Sequence, residues 1–346
     1  MSRATRFIDA CYRRPTDLTP VWLMRQAGRY QASYRALRAG RSFLELCQTP
    51  ELAARVTVNA VDELDVDAAI IFSDILVAVQ AMGASVDITD QGPVLAAPVR
   101  DEAAVAALRV PDPTEALPQL LEAVRLVRRA LDGRVPLIGF AGAPLTLASY
   151  LVEGGNSKSY THLKGLLFGN PRVAHALLDK LARTVAVVLR AQVEAGCQAV
   201  QLFDSWGGIL GPRDFRELSL PYLQRIMAEL APLRAPRILF ATGASTLLEL
   251  MRDTGAEVIG VDWRVDLDEA RRRLGPDTAV QGNLDPGCLF LEPEALEARA
   301  QEVLDRAGAA PGHIFNLGHG VLPGTPEEHV RALVQTVHRL SARTGP

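Results

Sequence analysis

The chain has 346 residues, 48% hydrophobic and 22% charged, with a formal net charge of −3. This is the composition of a soluble globular protein, and its slight acidity excludes a general attraction to nucleic acid or anionic membrane, so any anion binding has to be local. The four cysteines, Cys11, Cys47, Cys197 and Cys288, form no Cys-x-x-Cys pair; they read as reduced thiols of a cytoplasmic protein, and no metal site is expected.

Met1 to Arg14 interrupts its apolar residues with charges and does not read as a signal peptide. The first element of consequence is the apolar run Val21 to Met24, which opens directly onto Arg25 with no turn expected between them. Arg29 follows four residues later and Arg38 nine beyond that. A loop and the helix after it can therefore aim several guanidiniums at one cavity, a pattern suited to carboxylates or phosphates. Pairing of these arginines with acidic residues of the scaffold is the competing reading.

Helical patterning resumes at Tyr34 and again from Pro50 to about Leu64. Then come further apolar runs of the buried-strand type, each opening onto polar residues. Asp67 to Phe72 leads to Ser73-Asp74, Val135 to Phe140 to Ala141-Gly142, Gln198 to Phe203 to Asp204-Ser205, and Arg237 to Ala241 to Thr242-Gly243. Val258 to Val261 leads to Asp262-Trp263, Ala279 to Gln281 to Gly282-Asn283, and His313 to Leu317 to Gly318-His319-Gly320. Ser85 to Val99, with Gly92-Pro93, reads as a small hairpin excursion, followed by a helix over Leu120 to Leu131. Two helices are expected after the third strand, one ending near Gly169 and one over Arg172 to Ala195. The uncharged stretch Val135 to Val152 is long enough for a membrane span, but Pro136, Gly139, Gly142 and Pro144 make it a strand, a loop and a helix.

Eight continuous apolar runs alternating with helices predict an α/β fold: one (β/α)8 TIM barrel over residues 1–346, with the hairpin between strands 2 and 3. A doubly wound sheet is the runner-up. In a barrel the active site lies at the carboxyl ends of the strands, so Arg25, Asp74, Asp204, Ser205, Asp262, Asn283 and His319 are expected at one mouth. Each has a plainer reading: Asp262 as the cap of a turn, Asn283 as a ligand of loop backbone, Asp204 as the partner of an arginine.

Pro20 to Tyr30 resembles the first motif of the uroporphyrinogen decarboxylase family, and Gly139 to Tyr150 is similar to its second. Ile70 to Leu76, Phe203 to Trp206, Val261 to Trp263, Gln281 to Pro286 and Asn316 to Gly320 match in the family's order. The resemblance implies a barrel, usually a homodimer, that works without a metal or organic cofactor. It removes carbon dioxide from the four acetates of uroporphyrinogen III to give coproporphyrinogen III. It also implies substrate contacts at Arg25, Gln26, Arg29, Arg38, Asp74, Tyr150, Phe203, Ser205 and His319, with Asp74, Arg25, Tyr150 and His319 closest to the chemistry. The sequence departs from the family at Gln31-Ala32-Ser33, at Leu145 where an aromatic is common, and over Asn59 to Leu64, which lacks the usual paired arginines.

The chemistry asks for such residues. Burying an unpaired carboxylate costs several kcal/mol, so a polycarboxylate site needs arginines. Decarboxylation of an acetate needs an electron sink; a pyrrole protonated at its α-carbon supplies one, and a fixed carboxylate such as Asp74 stabilises the cation. Tyr150, His319 and an arginine-bound water are the candidate proton donors. The lysines Lys158, Lys164 and Lys180 all lie away from the strand ends, which disfavours Schiff-base catalysis. Cobalamin-dependent methyltransferases use the same barrel with zinc held by a His-x-Cys pair and a distant Cys, but Phe240-Ala241-Thr242-Gly243 carries neither ligand. A non-catalytic tetrapyrrole-binding protein remains the alternative of a different class.

Overall fold

The computed structural model describes residues 2–89 and 92–343. Its centre is a curled, parallel, seven-stranded sheet. Numbered in chain order, its strands are β1 (Ala69–Ile70), β4 (Leu137–Gly142), β5 (Ala199–Asp204), β6 (Arg237–Ala241), β7 (Val258–Gly260), β8 (Ala279–Gln281) and β9 (His313–Ile314), which neighbour one another in that order. The expected first strand completes the ring with a minimum of ladder. Phe315 N–H donates to Pro20 O (2.9 Å) and Trp22 N–H to Phe315 O (3.4 Å) on one side, while Asp67 N–H donates to Val21 O (2.7 Å) on the other. The eight runs therefore close a barrel. The hairpin is β2 (Val86–Thr89) with β3 (Gly92–Leu95), antiparallel and inserted between β1 and β4.

The helices follow their start signals. Pro50–Leu64 and Pro171–Ala195 both place proline in the first turn, where a missing N–H is harmless. Three helices, not two, occupy the interval after β4: Pro144–Glu153, Thr161–Gly169 and Pro171–Ala195. No helix among the described residues is long and apolar enough to cross a membrane.

Strand alternation divides the core in two. Trp22, Met24, Ile138, Ala199, Ile238, Phe240, Val258 and Ile314 pack inside the barrel, with Phe7, Ala10 and Cys11 of helix Arg3–Cys11 filling its amino-terminal end. The alternate residues, including Val21, Leu23, Ile71, Val200, Leu202 and Leu239, face the helices. Within the barrel, Trp22 Nε1 donates to Gln281 Oε1 (2.9 Å) and Gln281 Nε2 to Gln201 Oε1 (3.0 Å), a polar layer beneath the mouth.

One buried node binds the ends of the chain to the sheet. Asp67 has no exposed surface. It accepts hydrogen bonds from Arg6 Nη1 (2.5 Å) and Val21 N–H (2.8 Å) and meets His338 Nε2 at 2.7 Å. The amino-terminal helix, the closing strand and the helix Glu327–Ser341 thus share one carboxylate. Burial pushes the Asp67 carboxyl up, but His338, Val21 N–H and Arg6 outweigh it and leave the group below its ordinary range.

Candidate active site

At the carboxyl ends of the strands the barrel interior finishes in phenyl rings. Phe203 packs edge-on against Phe140 (5.5 Å between centroids) and Phe240 (6.2 Å), forming an apolar floor. Above it stand the polar residues at the strand exits. The closing strand leaves by a turn that the sequence did not suggest: Gln26 N–H donates to Leu23 O (2.9 Å), and Arg25 takes φ +61°. This left-handed conformation, uncommon for a residue with a side chain, swings the guanidinium to the surface of the mouth. Its path needs Gly320, where a Cβ would lie 2.4 Å from Arg25 Cδ.

Asp74 follows β1 and is partly exposed. Leu76 N–H donates to its Oδ1 (2.7 Å), which fixes the carboxylate plane. Burial raises the Asp74 carboxyl above its ordinary range, opposed by the Leu76 N–H and by Arg25. Tyr150, on helix Pro144–Glu153, is raised first by burial and also by Asp74, while a hydrogen bond with the Trp206 side chain and the charge of Arg25 act the other way. Asp74 and Arg38 both act on the buried Cys47 thiol, and Arg38 and Arg29 on Tyr34. Tyr34 and Phe43 in turn pack on Phe72 at 5.7 and 5.5 Å. Asp74 and Arg25 thus lie close enough for their charges to act on Tyr150 and on each other, and Arg38 and Asp74 both reach Cys47. Phe203 and Ser205 stand at the exit of β5, both half-buried.

His319 lies between two tightly packed glycines. A Cβ on Gly318 would come within 2.6 Å of Trp263 N. Burial, Arg25 and Arg264 together push the imidazole down to about 4 against the opposing pull of Asp262. Asp262 itself stitches the rim: it accepts from Gly243 N–H (2.6 Å), Arg264 N–H (3.1 Å) and Arg264 Nη1 (2.5 Å). Asn283 Nδ2 donates to Asp262 O (2.9 Å) and Val265 O (2.7 Å), so the loop-backbone reading of Asn283 and the turn-cap reading of Asp262 describe what these side chains do.

Two expectations are corrected. Gln26 does not open to the mouth; its Oε1 accepts from Leu23 N–H (3.1 Å) and its Nε2 donates to Ala68 O (3.1 Å), so the buried amide braces the arginine turn against β1. Asp204 is also turned away, because alternation along β5 gives Phe203 the interior and Asp204 the helix side. It accepts from Thr146 Oγ1 (2.8 Å) and Ser219 Oγ (3.5 Å), with no arginine, and burial pushes its carboxyl up to about 6. Thr146 Oγ1 also accepts from Trp206 N–H (3.1 Å), so Asp204 supports the mouth indirectly through the loop carrying the partner of Tyr150.

Sequence reasoning did not single out Trp206, Tyr160 or Arg264. Trp206 packs against Tyr150 and Tyr160 at 6.3 and 5.6 Å and walls one side of the site. Its position after Asp204-Ser205 at a strand end was the available signal. Two of the stretches expected to depart from the family pattern meet in space: Gln31 Nε2 donates to Glu63 Oε2 (2.9 Å), which ties the loop before Ala32 to the helix Pro50–Leu64. Leu145 is fully buried. Among the described residues no three His, Cys, Asp or Glu side chains come together to hold a metal ion.

Comparison with known proteins places this geometry. The family described as uroporphyrinogen decarboxylase (URO-D) matches residues 2–340. A uroporphyrinogen decarboxylase of Myxococcus xanthus is 54% identical over 96% of both chains. One of Syntrophotalea carbinolica is 52% identical over 97% of both. Among solved structures, a methyltransferase from Methanosarcina mazei aligns with a TM-score of 0.84 at 22% identity, over 98% of this chain and 99% of its own. At that identity the likeness concerns the fold alone.

Proposed function

The chain belongs to the uroporphyrinogen decarboxylase family, and on that premise we propose that its mouth binds uroporphyrinogen III, removes the four acetate carboxyls as carbon dioxide and releases coproporphyrinogen III. The observation that carries this reading is Asp74, a partly buried carboxylate oriented by Leu76 N–H, with the charge of Arg25 and the Tyr150 hydroxyl nearby and a cluster of phenyl rings at the strand ends. Asp74 accepts the pyrrole N–H groups. Arg25, Arg29 and Arg38 contact substrate carboxylates, and Phe203 carries the face of the macrocycle.

The step balances as follows. A proton adds to the pyrrole α-carbon next to the acetate-bearing carbon, giving a cationic ring that Asp74 stabilises. The bond between the acetate methylene and its carboxylate breaks, carbon dioxide leaves, and the electron pair flows into the ring. Protonation of the resulting exocyclic methylene makes the methyl group, and loss of the α-proton restores the pyrrole. One proton is taken up for each carbon dioxide released.

The low value of His319 supports giving it a hydrogen-bonding role, because its cationic form is scarce at neutral pH. Burial makes the Tyr150 hydroxyl a weaker acid than an ordinary phenol, so the proposed source of the proton is solvent, relayed through a water held by Arg25, with Tyr150 as a hydrogen-bond partner. An NMR titration of the histidines is expected to show His319 with a midpoint near 4; a midpoint near the ordinary ~6.5 would remove the basis for this assignment. Since the folded value lies below the unfolded one, His319 costs stability as pH falls from about 6.5 towards 4.

We further propose that residues 1–346 act as one catalytic unit, as a homodimer in the cytoplasm and with no added cofactor. The decisive experiment is anaerobic incubation of the purified protein with uroporphyrinogen III, separating products by carboxyl number. Successive seven-, six-, five- and four-carboxyl products are expected. Well-folded protein that releases no carbon dioxide would refute the reading.

A further inference from the structure

Around part of the rim the exits of the closing strand, β9 and β7 touch in a fixed order. Arg25 lies against Gly320, His319 follows, Gly318 packs on Trp263, and Arg264 comes next. The Arg264 guanidinium stacks over the Trp263 ring at 4.4 Å, and its Nη1 donates to Asp262 Oδ2 at 2.5 Å. Asp262 is almost completely buried, with 2% of its side chain exposed, whereas 47% of the Arg264 side chain is exposed. Among the described residues Asp262 is the sole hydrogen-bond partner of the Arg264 side chain, so most of the guanidinium's five N–H donors are free. The group is aligned without being used up.

We propose that Arg264 is a further substrate contact, receiving an acetate or propionate carboxylate at the edge of the mouth far from Arg38. The far placement follows from the sheet, in which β7 stands four places round from β1. A macrocycle with carboxylates on its whole periphery needs cations on both sides, and Arg25, Arg29 and Arg38 all follow the closing strand. Stacking on Trp263 and the bond to Asp262 hold the planar fork ready, so little side-chain freedom is lost on binding. Arg25 and Arg264 both lie close enough to His319 for their charges to act on it, one from each side of the Gly318-His319-Gly320 segment. The inference rests on the polycarboxylate reading of the mouth, and it adds a contact outside the residues that the family motifs supply.

The plainer alternative is that Arg264 only neutralises Asp262, and the test separates the two. Arg264→Gln is expected to raise KM for uroporphyrinogen III about tenfold, with the effect falling mainly on KM rather than kcat. The double variant Asp262→Asn/Arg264→Gln removes the carboxylate left behind, and the raised KM is expected to persist. Should Arg264→Gln fold poorly in a thermal melt, Arg264→Lys keeps the charge without the fork and is expected to raise KM about threefold. A KM unchanged within about twofold in the single variants, or restored to the wild-type value in the double variant, overturns the proposal. The wild type in the same assay keeps the readings apart: an inactive wild type refutes the polycarboxylate reading and this inference with it, whereas an active wild type with unmoved KM in the variants refutes only this inference.

Discussion

Asp74→Asn is expected to lower kcat by about 10²–10³-fold, or ~3–4 kcal/mol of barrier, while substrate binding is retained. Asparagine has nearly the same shape, and its amide oxygen can still accept the Leu76 N–H and a pyrrole N–H, so the ground-state complex changes little. What disappears is the negative charge that, in the proposed mechanism, faces a ring that becomes cationic only on the way to the transition state. Interactions made only there appear in kcat rather than KM. The measurement is steady-state kinetics with uroporphyrinogen III together with direct binding to the variant. A loss confined to KM would show Asp74 to be an anchor rather than a stabiliser of the cation. Retained turnover would exclude it from the chemistry. Retained binding with no turnover also separates an enzyme from a tetrapyrrole carrier. In the proposed mechanism the ionised form of Asp74 is the active one, so kcat is expected to fall as pH drops through its raised value, above the usual carboxylate range.

The second large effect concerns the fold. Asp67→Ala is expected to destabilise the protein by about 3–5 kcal/mol, because it strips a buried ion pair of one partner and leaves Arg6, Val21 N–H and His338 without their shared acceptor. In a thermal melt this should lower the Tm by about 4–7 °C. Asp17 retains its two bonds to Arg6 and limits the loss. The pH dependence has a definite sign. The folded carboxyl lies below its unfolded value, so its contribution is present above about pH 4 and fades as pH falls through the depressed folded value. The difference between wild type and variant should therefore be flat at neutral pH and shrink only in acid. A melt unchanged by the substitution would mean that the barrel closes without this node.

Much of the architecture was legible in the sequence. The eight apolar runs, the hairpin after the second, and the helices starting at Pro50 and near Arg172 all lie where their patterns place them. Strands of a parallel barrel are buried on both faces, so they show as unbroken apolar runs, and each exit from apolar to polar marks the catalytic end of the barrel. The same property hid which face each side chain takes. When both faces are apolar, the run contains no alternation to read. Asp204 and Phe203 are adjacent in sequence yet belong to opposite sides of β5, and Gln26 next to Arg25 turns inward while Arg25 turns out through a left-handed turn.

The sequence by itself determined the family, the order of the strands and the end of the barrel at which the polar residues gather, because these follow from local apolar patterning and short contiguous motifs. Only the tertiary structure decided that Asp204 is tied to Thr146 and through it to Trp206, that Arg264 comes to act on His319 alongside Arg25, and that burial pushes His319 down to about 4. Those properties come from groups far apart in the chain and brought together by packing. Burial and charge act through space, and spacing along the chain does not encode them.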